Sequence, residues 1–186
     1  MNAFCCKKPN HSFMKKVFLL VLTLSFGISF AQKPADAVKS EITTLLDNWH
    51  KAAADVKFDA YFSVLAPDAI YIGTDPSENW NVEQFKAFSK PYFDKGQAWS
   101  FKAVQRNIYF NTDKNFAYFD ELLNTQMKLC RGSGVLRKEK DGKWKIIHYV
   151  LSMTIPNKDV DAVVKIKTPF EDEFLKTIYS QGAKNN

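Results

Sequence analysis

The chain has 186 residues, 26 basic and 20 acidic side chains, and 46% hydrophobic residues. That composition excludes wholesale disorder and collagen-like repetition, and the length suits one domain rather than two large ones. The formal charge of +6 gathers at the start: Lys7, Lys8, Lys15 and Lys16 lie in residues 1–31, which hold no acid, leaving 22 basic against 20 acidic groups in residues 32–186, net +2. Bulk charge therefore makes no case for a nucleic-acid partner.

The first element is a leader. Lys15 and Lys16 precede an apolar run from Val17 to Phe30, and Ser29 and Ala31 are small residues at −3 and −1 before Gln32. The pattern predicts a signal peptide over residues 1–31, with Met14 as an alternative start, and a periplasmic or secreted product. The run of 14 residues is short against the roughly 20 that a membrane span needs, so no membrane segment is expected after cleavage. Cys5 and Cys6 precede the run, so no cysteine stands at the new N-terminus to carry a lipid anchor. After cleavage one cysteine remains, Cys130, which excludes an intrachain disulfide and a cysteine-rich metal site.

Residues 35–56 carry Val38, Ile42, Leu45, Leu46 and Trp49 at helical spacing. A short helix is predicted over residues 57–66, a turn at Pro67-Asp68, a strand over residues 69–73 and a loop over residues 74–78. Asn81 with Gln84 resembles a capping box, starting a third helix that ends near Asp94, with Gly96 as its C-terminal stop. Strands follow over residues 99–110, 116–128, 129–138 and 143–153. Asp141-Gly142 makes the last hairpin. Helices first and a meander after predict an α+β fold, helices packed on one face of a curved antiparallel sheet. Ile155-Pro156-Asn157 ends the domain, placing it at residues 32–157. Residues 158–186 form a tail with a helix predicted from Pro169 to Tyr179, where Phe170, Phe174 and Ile178 share one side.

Several segments together resemble the SnoaL-like branch of the nuclear transport factor 2-like superfamily. They are Trp49-His50, the stretch from Tyr61 to Pro76, Trp80, Phe119 to Leu123, Arg131 to Leu136, Asp141 to Tyr149, and Leu151-Ser152. The resemblance spans residues 36–157. It implies a cone, in which a strongly bent sheet wraps against three helices around an interior cavity. Members of that superfamily include isomerase-like and cyclase-like enzymes and non-catalytic association domains, so the fold alone assigns no reaction.

The site candidates follow from residue chemistry inside such a cone. Tyr71, Trp80, Phe85, Phe88, Tyr92, Trp99, Phe101 and Phe119 are the aromatics expected near an apolar pocket, with Trp80, Phe88, Tyr92, Trp99 and Phe119 as ligand contacts. Asp120 and Glu121 are adjacent on a strand and point to opposite faces. The alternation Phe116, Tyr118, Asp120, Leu122 favours Asp120 inward. Asp120 or His148 would act as base, Tyr71 would steady a developing enolate, and Arg131 would pair with Asp120 or grip a ligand carboxylate. Each also has a plain structural alternative: a salt-bridged acid, a hydrogen-bonded core histidine, an internal ion pair. Superfamily relatives often carry a second histidine two positions beyond the strand histidine, but Val150 stands there in this chain. Gly132 and Gly134 suggest a bend. His50 is placed at the cavity mouth or on the surface, and Cys130 and Trp144 in the core. With two histidines left after cleavage and no ligand spacing, no metal and no cofactor is expected. The expected function is an exported domain that binds a small, partly apolar molecule. The alternatives are a cofactor-free isomerase, cyclase or lyase and a non-catalytic dimeric association domain, and a homodimer is expected under any of the three.

Overall fold

The computed structural model describes residues 35–182; the expected leader over residues 1–31 lies outside them. Residues 39–186 form a compact unit of their own. Its elements are α1 (Ala35–Ala54), α2 (Phe58–Ser63), β1 (Leu65–Ile72), β2 (Asn79–Asn81), α3 (Val82–Asp94), β3 (Phe101–Phe110), β4 (Phe116–Thr125), β5 (Lys128–Lys138), β6 (Trp144–Met153), a single 3-10 turn (Asn157–Asp159) and α4 (Val160–Gly182).

The six strands form one curved, unclosed sheet in the order β2-β1-β6-β5-β4-β3. The α+β class holds, with one refinement: β1 runs parallel to β6 while every other neighbouring pair is antiparallel. A parallel neighbour needs a long crossover, and the whole chain between β1 and β6 supplies it. Register shifts interrupt the ladder in β1 between Leu65 and Ile70, in β3 between Ala103 and Gln105, and in β5 between Val135 and Leu136. Each shift adds local twist and bend, which is how a long meander curls around its helices. Pro67 and Asp68 lie in the β1 irregularity instead of forming a separate turn. An irregular stretch tolerates the missing proline N–H, so a turn signal and a strand coexist here.

Helix α1 presents Ile42, Leu46, Trp49 and Ala53, all 0–1% exposed, along one stripe. Helix α3 starts on the expected capping box: Gln84 N–H donates to Asn81 Oδ1 at 2.9 Å, and Asn81 N–H donates to Gln84 Oε1 at 3.0 Å. It stops at Gly96, whose φ of +70° places it in the left-handed region that glycine tolerates.

Two expectations give way in detail. The strand predicted over residues 116–128 breaks at a tight turn, Gln126-Met127, which carries neither glycine nor asparagine. The Thr125 hydroxyl holds that turn, donating to Lys128 O at 2.9 Å and accepting from Met127 N–H at 2.9 Å. The terminal helix begins at Val160 and runs straight through Pro169, where the sequence reading started it. α4 leaves Val164, Ile166, Phe170 and Tyr179 more than half exposed. No helix among the described residues is long and apolar enough to cross a membrane.

Candidate functional site

The sheet has an inner face against the helices and an outer face, and β4 reads them cleanly. Ala117, Phe119, Glu121, Leu123 and Thr125 are buried; Phe116, Tyr118, Asp120, Leu122 and Asn124 are exposed or half-buried. This reverses the expected orientation. Asp120 faces outward, where Asn107 Nδ2 donates to its Oδ1 at 3.0 Å, and Glu121 is the inward carboxylate, fully buried. The aromatic residues Phe116 and Tyr118 suggested the wrong face because a charged residue at position 121 can enter the core only with partners supplied from elsewhere in the chain.

Those partners come from three elements. His50 on α1 donates through Nε2 to Glu121 Oε1 at 2.8 Å. Arg106 on β3 donates through Nε to Oε2 at 2.9 Å, and its Nη2 lies 2.8 Å from the same oxygen. Tyr149 on β6 donates its hydroxyl to Oε1 at 3.2 Å. Arg106 also reaches Thr43 O and Asp47 Oδ1 on α1, at 3.2 and 2.7 Å. Burial alone would push the Glu121 carboxyl up. The His50 hydrogen bond and the charges of His50 and Arg106 overrule it and hold the group below the usual range. The Tyr149 phenol is pushed up, first by burial and then by the Glu121 charge, and stays protonated. His50 is 3% exposed, so it is neither at a cavity mouth nor on the surface. This network ties the helix layer to the sheet, and every oxygen of its carboxylate is occupied.

Gly132 and Gly134 explain themselves here. A Cβ at Gly132 would stand 2.3 Å from the Tyr149 hydroxyl, and one at Gly134 would stand 2.6 Å from His148 O and 2.8 Å from the Phe119 ring. Both glycines face inward and give up their side-chain volume to Tyr149 and Phe119.

His148 and Arg131 join Asp120 on the outer face. Tyr149, not His148, points inward on β6, and Arg131 is exposed between Leu122 and Ser152 in register. The expected catalytic trio of Asp120, His148 and Tyr71 therefore does not assemble, and Arg131 touches no inner cavity. Phe119 is 3% exposed and packs in the core, 6.1 Å from the Tyr149 ring.

The concave side does hold a cavity, of about 140 Å³. Tyr71, Trp80, Phe85, Phe88, Trp99 and Phe101 line it, with Leu151 and Met127. Strand register sets part of this wall, because Tyr71 on β1 lies opposite Trp80 on β2. The rings lie in nearly parallel planes: Tyr71 and Phe85 are 3.9 Å apart at 16°, Trp80 and Phe85 5.6 Å at 12°, Trp80 and Phe88 4.4 Å at 27°. Phe88 and Trp99 continue into a neighbouring hollow with Tyr92 and Gln97. So Tyr71, Trp80, Phe88 and Trp99 meet at the cavity as expected, and Tyr92 stands beside it. Burial, then the charge of Glu78, pushes the Tyr71 phenol well up, so it remains a neutral hydroxyl.

Thr74, Glu78 and Gln126 are polar lining residues that sequence reading passed over. Glu78 ends the turn after β1. Its main chain closes that turn through Gly73 N–H to Glu78 O at 3.0 Å, and its Oε2 accepts from Asp75 N–H at 3.1 Å. A Cβ at Gly73 would lie 2.1 Å from that oxygen, so glycine there leaves room for the carboxylate. No local signal marked these residues: the pairing of Tyr71 with Trp80, which brings the intervening turn to the cavity rim, is set by the sheet.

Comparison with known proteins accords with this architecture. A SnoaL-like domain model matches residues 42–156. The chain belongs to the SnoaL-like domain family. Solved structures similar to this SnoaL-like chain include an NTF2-like protein of unknown function from Pseudomonas putida KT2440, 17% identical, covering 66% of this chain and 91% of that one, with a TM-score of 0.57. A domain of unknown function with a cystatin-like fold from Nostoc punctiforme PCC 73102 is 13% identical over 81% of this chain and 99% of its own, with a TM-score of 0.58. A candidate Ca/calmodulin-dependent kinase II association domain from Exiguobacterium sibiricum 255-15 is 18% identical over 68% and 100%, with a TM-score of 0.53. At these identities the likeness is one of fold. No curated protein matches the sequence.

Proposed function

We propose that this SnoaL-like domain is exported and binds a small, partly apolar molecule in its aromatic cavity. The single observation that carries the binding reading is the cavity itself: six aromatic side chains around about 140 Å³, with Glu78 and Gln126 as polar groups at its wall. An apolar concavity with few polar groups is the ordinary design of a small-molecule site, and a dry cavity of this size accommodates a compound of roughly benzene dimensions. The export reading rests on Lys15-Lys16, the apolar run to Phe30 and the small residues before Gln32. The isomerase reading loses support, since Asp120 and His148 lie on the opposite face of the sheet from Tyr71.

Native mass spectrometry of the protein purified from its own host, compared with its denatured mass, tests both. A retained small mass and an N-terminus at Gln32 are the expected results. A cavity that carries nothing, and takes up nothing from the host's extract, would end the binding reading. An intact leader on the mature protein would end the export reading.

A second reading concerns assembly with another copy of the chain. Its support is the unburied apolar surface: the stacked Tyr109–Tyr118 pair on the outer sheet face, 46% and 52% exposed, and the apolar residues of α4. The Exiguobacterium structure named above carries an association-domain name on the same fold. Sedimentation at micromolar concentration would report a dimer, and a monomer there contradicts this reading.

A further inference from the structure

The charge around the cavity is one-sided. Among its lining residues Glu78 is the one ionisable group of either sign besides the Tyr71 phenol, and no lysine or arginine reaches the wall. Neither does one line the neighbouring hollow that Phe88, Tyr92 and Trp99 share with Gln97 and Gln126. The three described arginines are engaged or placed elsewhere, and Lys167, in an adjoining hollow that shares Gly73, Thr74 and Leu151, pairs with Glu171 at 2.9 Å. Arg106 is bound to Glu121 and Asp47, Arg137 to Asp68 and Glu139, and Arg131 stands on the outer face. Glu78 forms no ion pair among the described residues. Its contact there is the neutral Asp75 N–H, and the missing side chain at Gly73 leaves room for its carboxylate.

The stacked aromatic wall is apolar and removes water from whatever enters it, so the Glu78 charge at its edge is weakly screened there. An anionic ligand would meet that charge with no compensating group among the lining residues. A neutral apolar ligand would gain nothing from Glu78. The combination favours a cation with a greasy, weakly hydrated surface.

We infer that the cavity is a site for a small alkylated ammonium compound, held by Tyr71, Trp80, Phe85, Phe88 and Trp99 and charge-matched by Glu78. This rests on the binding reading above and names the class of ligand for the same cavity. The trimethylammonium group is the fitting head: it is roughly spherical, it makes no directional hydrogen bonds, and it leaves any attached polar tail to reach Gln126 or the neighbouring hollow. Gln126 offers both an acceptor and a donor there.

Isothermal titration of the purified protein with choline and with 3,3-dimethylbutan-1-ol, its uncharged carbon isostere, tests the inference at matched ionic strength. Choline is expected to bind at least about tenfold more tightly than the alcohol, a ratio equivalent to about 1.4 kcal/mol of attraction to Glu78. Glu78→Gln keeps the acceptor for Asp75 N–H and removes the charge. It is expected to weaken choline about tenfold and to leave the alcohol unchanged. Binding of the alcohol with equal or greater strength than choline would overturn the ammonium inference while the apolar binding site stands. So would an unaltered choline affinity in Glu78→Gln. Failure of choline to bind overturns the ammonium inference alone; the binding reading beneath it falls only if native mass spectrometry also finds no small molecule retained or taken up.

Discussion

Tyr149 donates its hydroxyl to Glu121 Oε1 across a space that exists because residue 132 has no side chain. The pair sits in the centre of a buried ion network whose other members, His50 and Arg106, come from the helix layer and from the edge strand β3. Residues of three other elements thus converge on one carboxylate of β4. It is the place where the helices and the sheet are most specifically joined.

Glu121→Gln removes the charge that both Arg106 and His50 face. Breaking one partner of a buried pair leaves the others uncompensated and costs about 3–5 kcal/mol. A domain of this size should lose roughly 6–20 °C in Tm, at about 2–4 °C per kcal/mol. Calorimetry checks this, and a Tm within 2–3 °C of the parent, by the same conversion, would contradict the account of the network.

The same group sets an acid limit. Glu121 binds its proton less readily folded than unfolded, where the ordinary value is 4.5. The unfolded state therefore binds more protons below that pH, and stability falls as pH drops. The contribution is complete above pH 4.5 and is lost as pH falls through the depressed folded value. Denaturant midpoints measured from pH 6 to pH 3 should show a smaller acid loss in Glu121→Gln than in the parent.

Gly132→Ala should destabilise by crowding Tyr149 and, at 3.0 Å, Glu121 Oε1, with no charge removed. The added Cβ would stand 2.3 Å from the Tyr149 hydroxyl, and overpacking of this kind costs about 1–3 kcal/mol. Coupling to Tyr149→Phe, which removes the obstructing oxygen, should recover part of that loss in a double-mutant cycle.

Asp120→Asn and His148→Ala should leave any retained ligand in place, since both side chains lie on the outer face. Trp80→Ala should release it. Loss of the ligand mass in either outer-face variant, with the fold intact by circular dichroism, would mean that the wrong side of the sheet has been assigned.

Lys128 adopts a φ of +68° in the β4–β5 hairpin. A side chain there costs about 1–2 kcal/mol, partly offset by the greater unfolded freedom of glycine. Lys128→Gly should raise stability by about 0.5–1 kcal/mol in urea titration. A loss would show that the Lys128 side chain contributes more than its backbone costs.

Local chemistry made much of this fold legible. The Asn81–Gln84 cap, the Gly96 stop and the Gly142 hairpin each act through neighbours a few residues apart, so the sequence alone determined them. The same holds for the apolar stripe of α1 and for the aromatic supply of the cavity, since composition and periodicity carry both. The Gln126-Met127 turn escaped because a single threonine hydroxyl does the work usually signalled by glycine. The start of α4 escaped because a proline inside a helix reads locally as a beginning.

What only the tertiary structure decided was the direction of the polar residues. Alternation says that Asp120 and Glu121 point to opposite faces. It cannot say which face is inside, because that depends on where counter-charges arrive. His50 lies 71 positions away from Glu121 in the chain and Arg106 lies 15 away. A buried charge is stable only with such partners, so its orientation is a property of the assembled layers. Glu78 reached the cavity rim by the pairing of Tyr71 with Trp80, a register that the rest of the sheet and helix α3 fix around it. Residue types set which chemistry was available in this chain. The closing of a bent sheet on three helices set which of those groups face the same space.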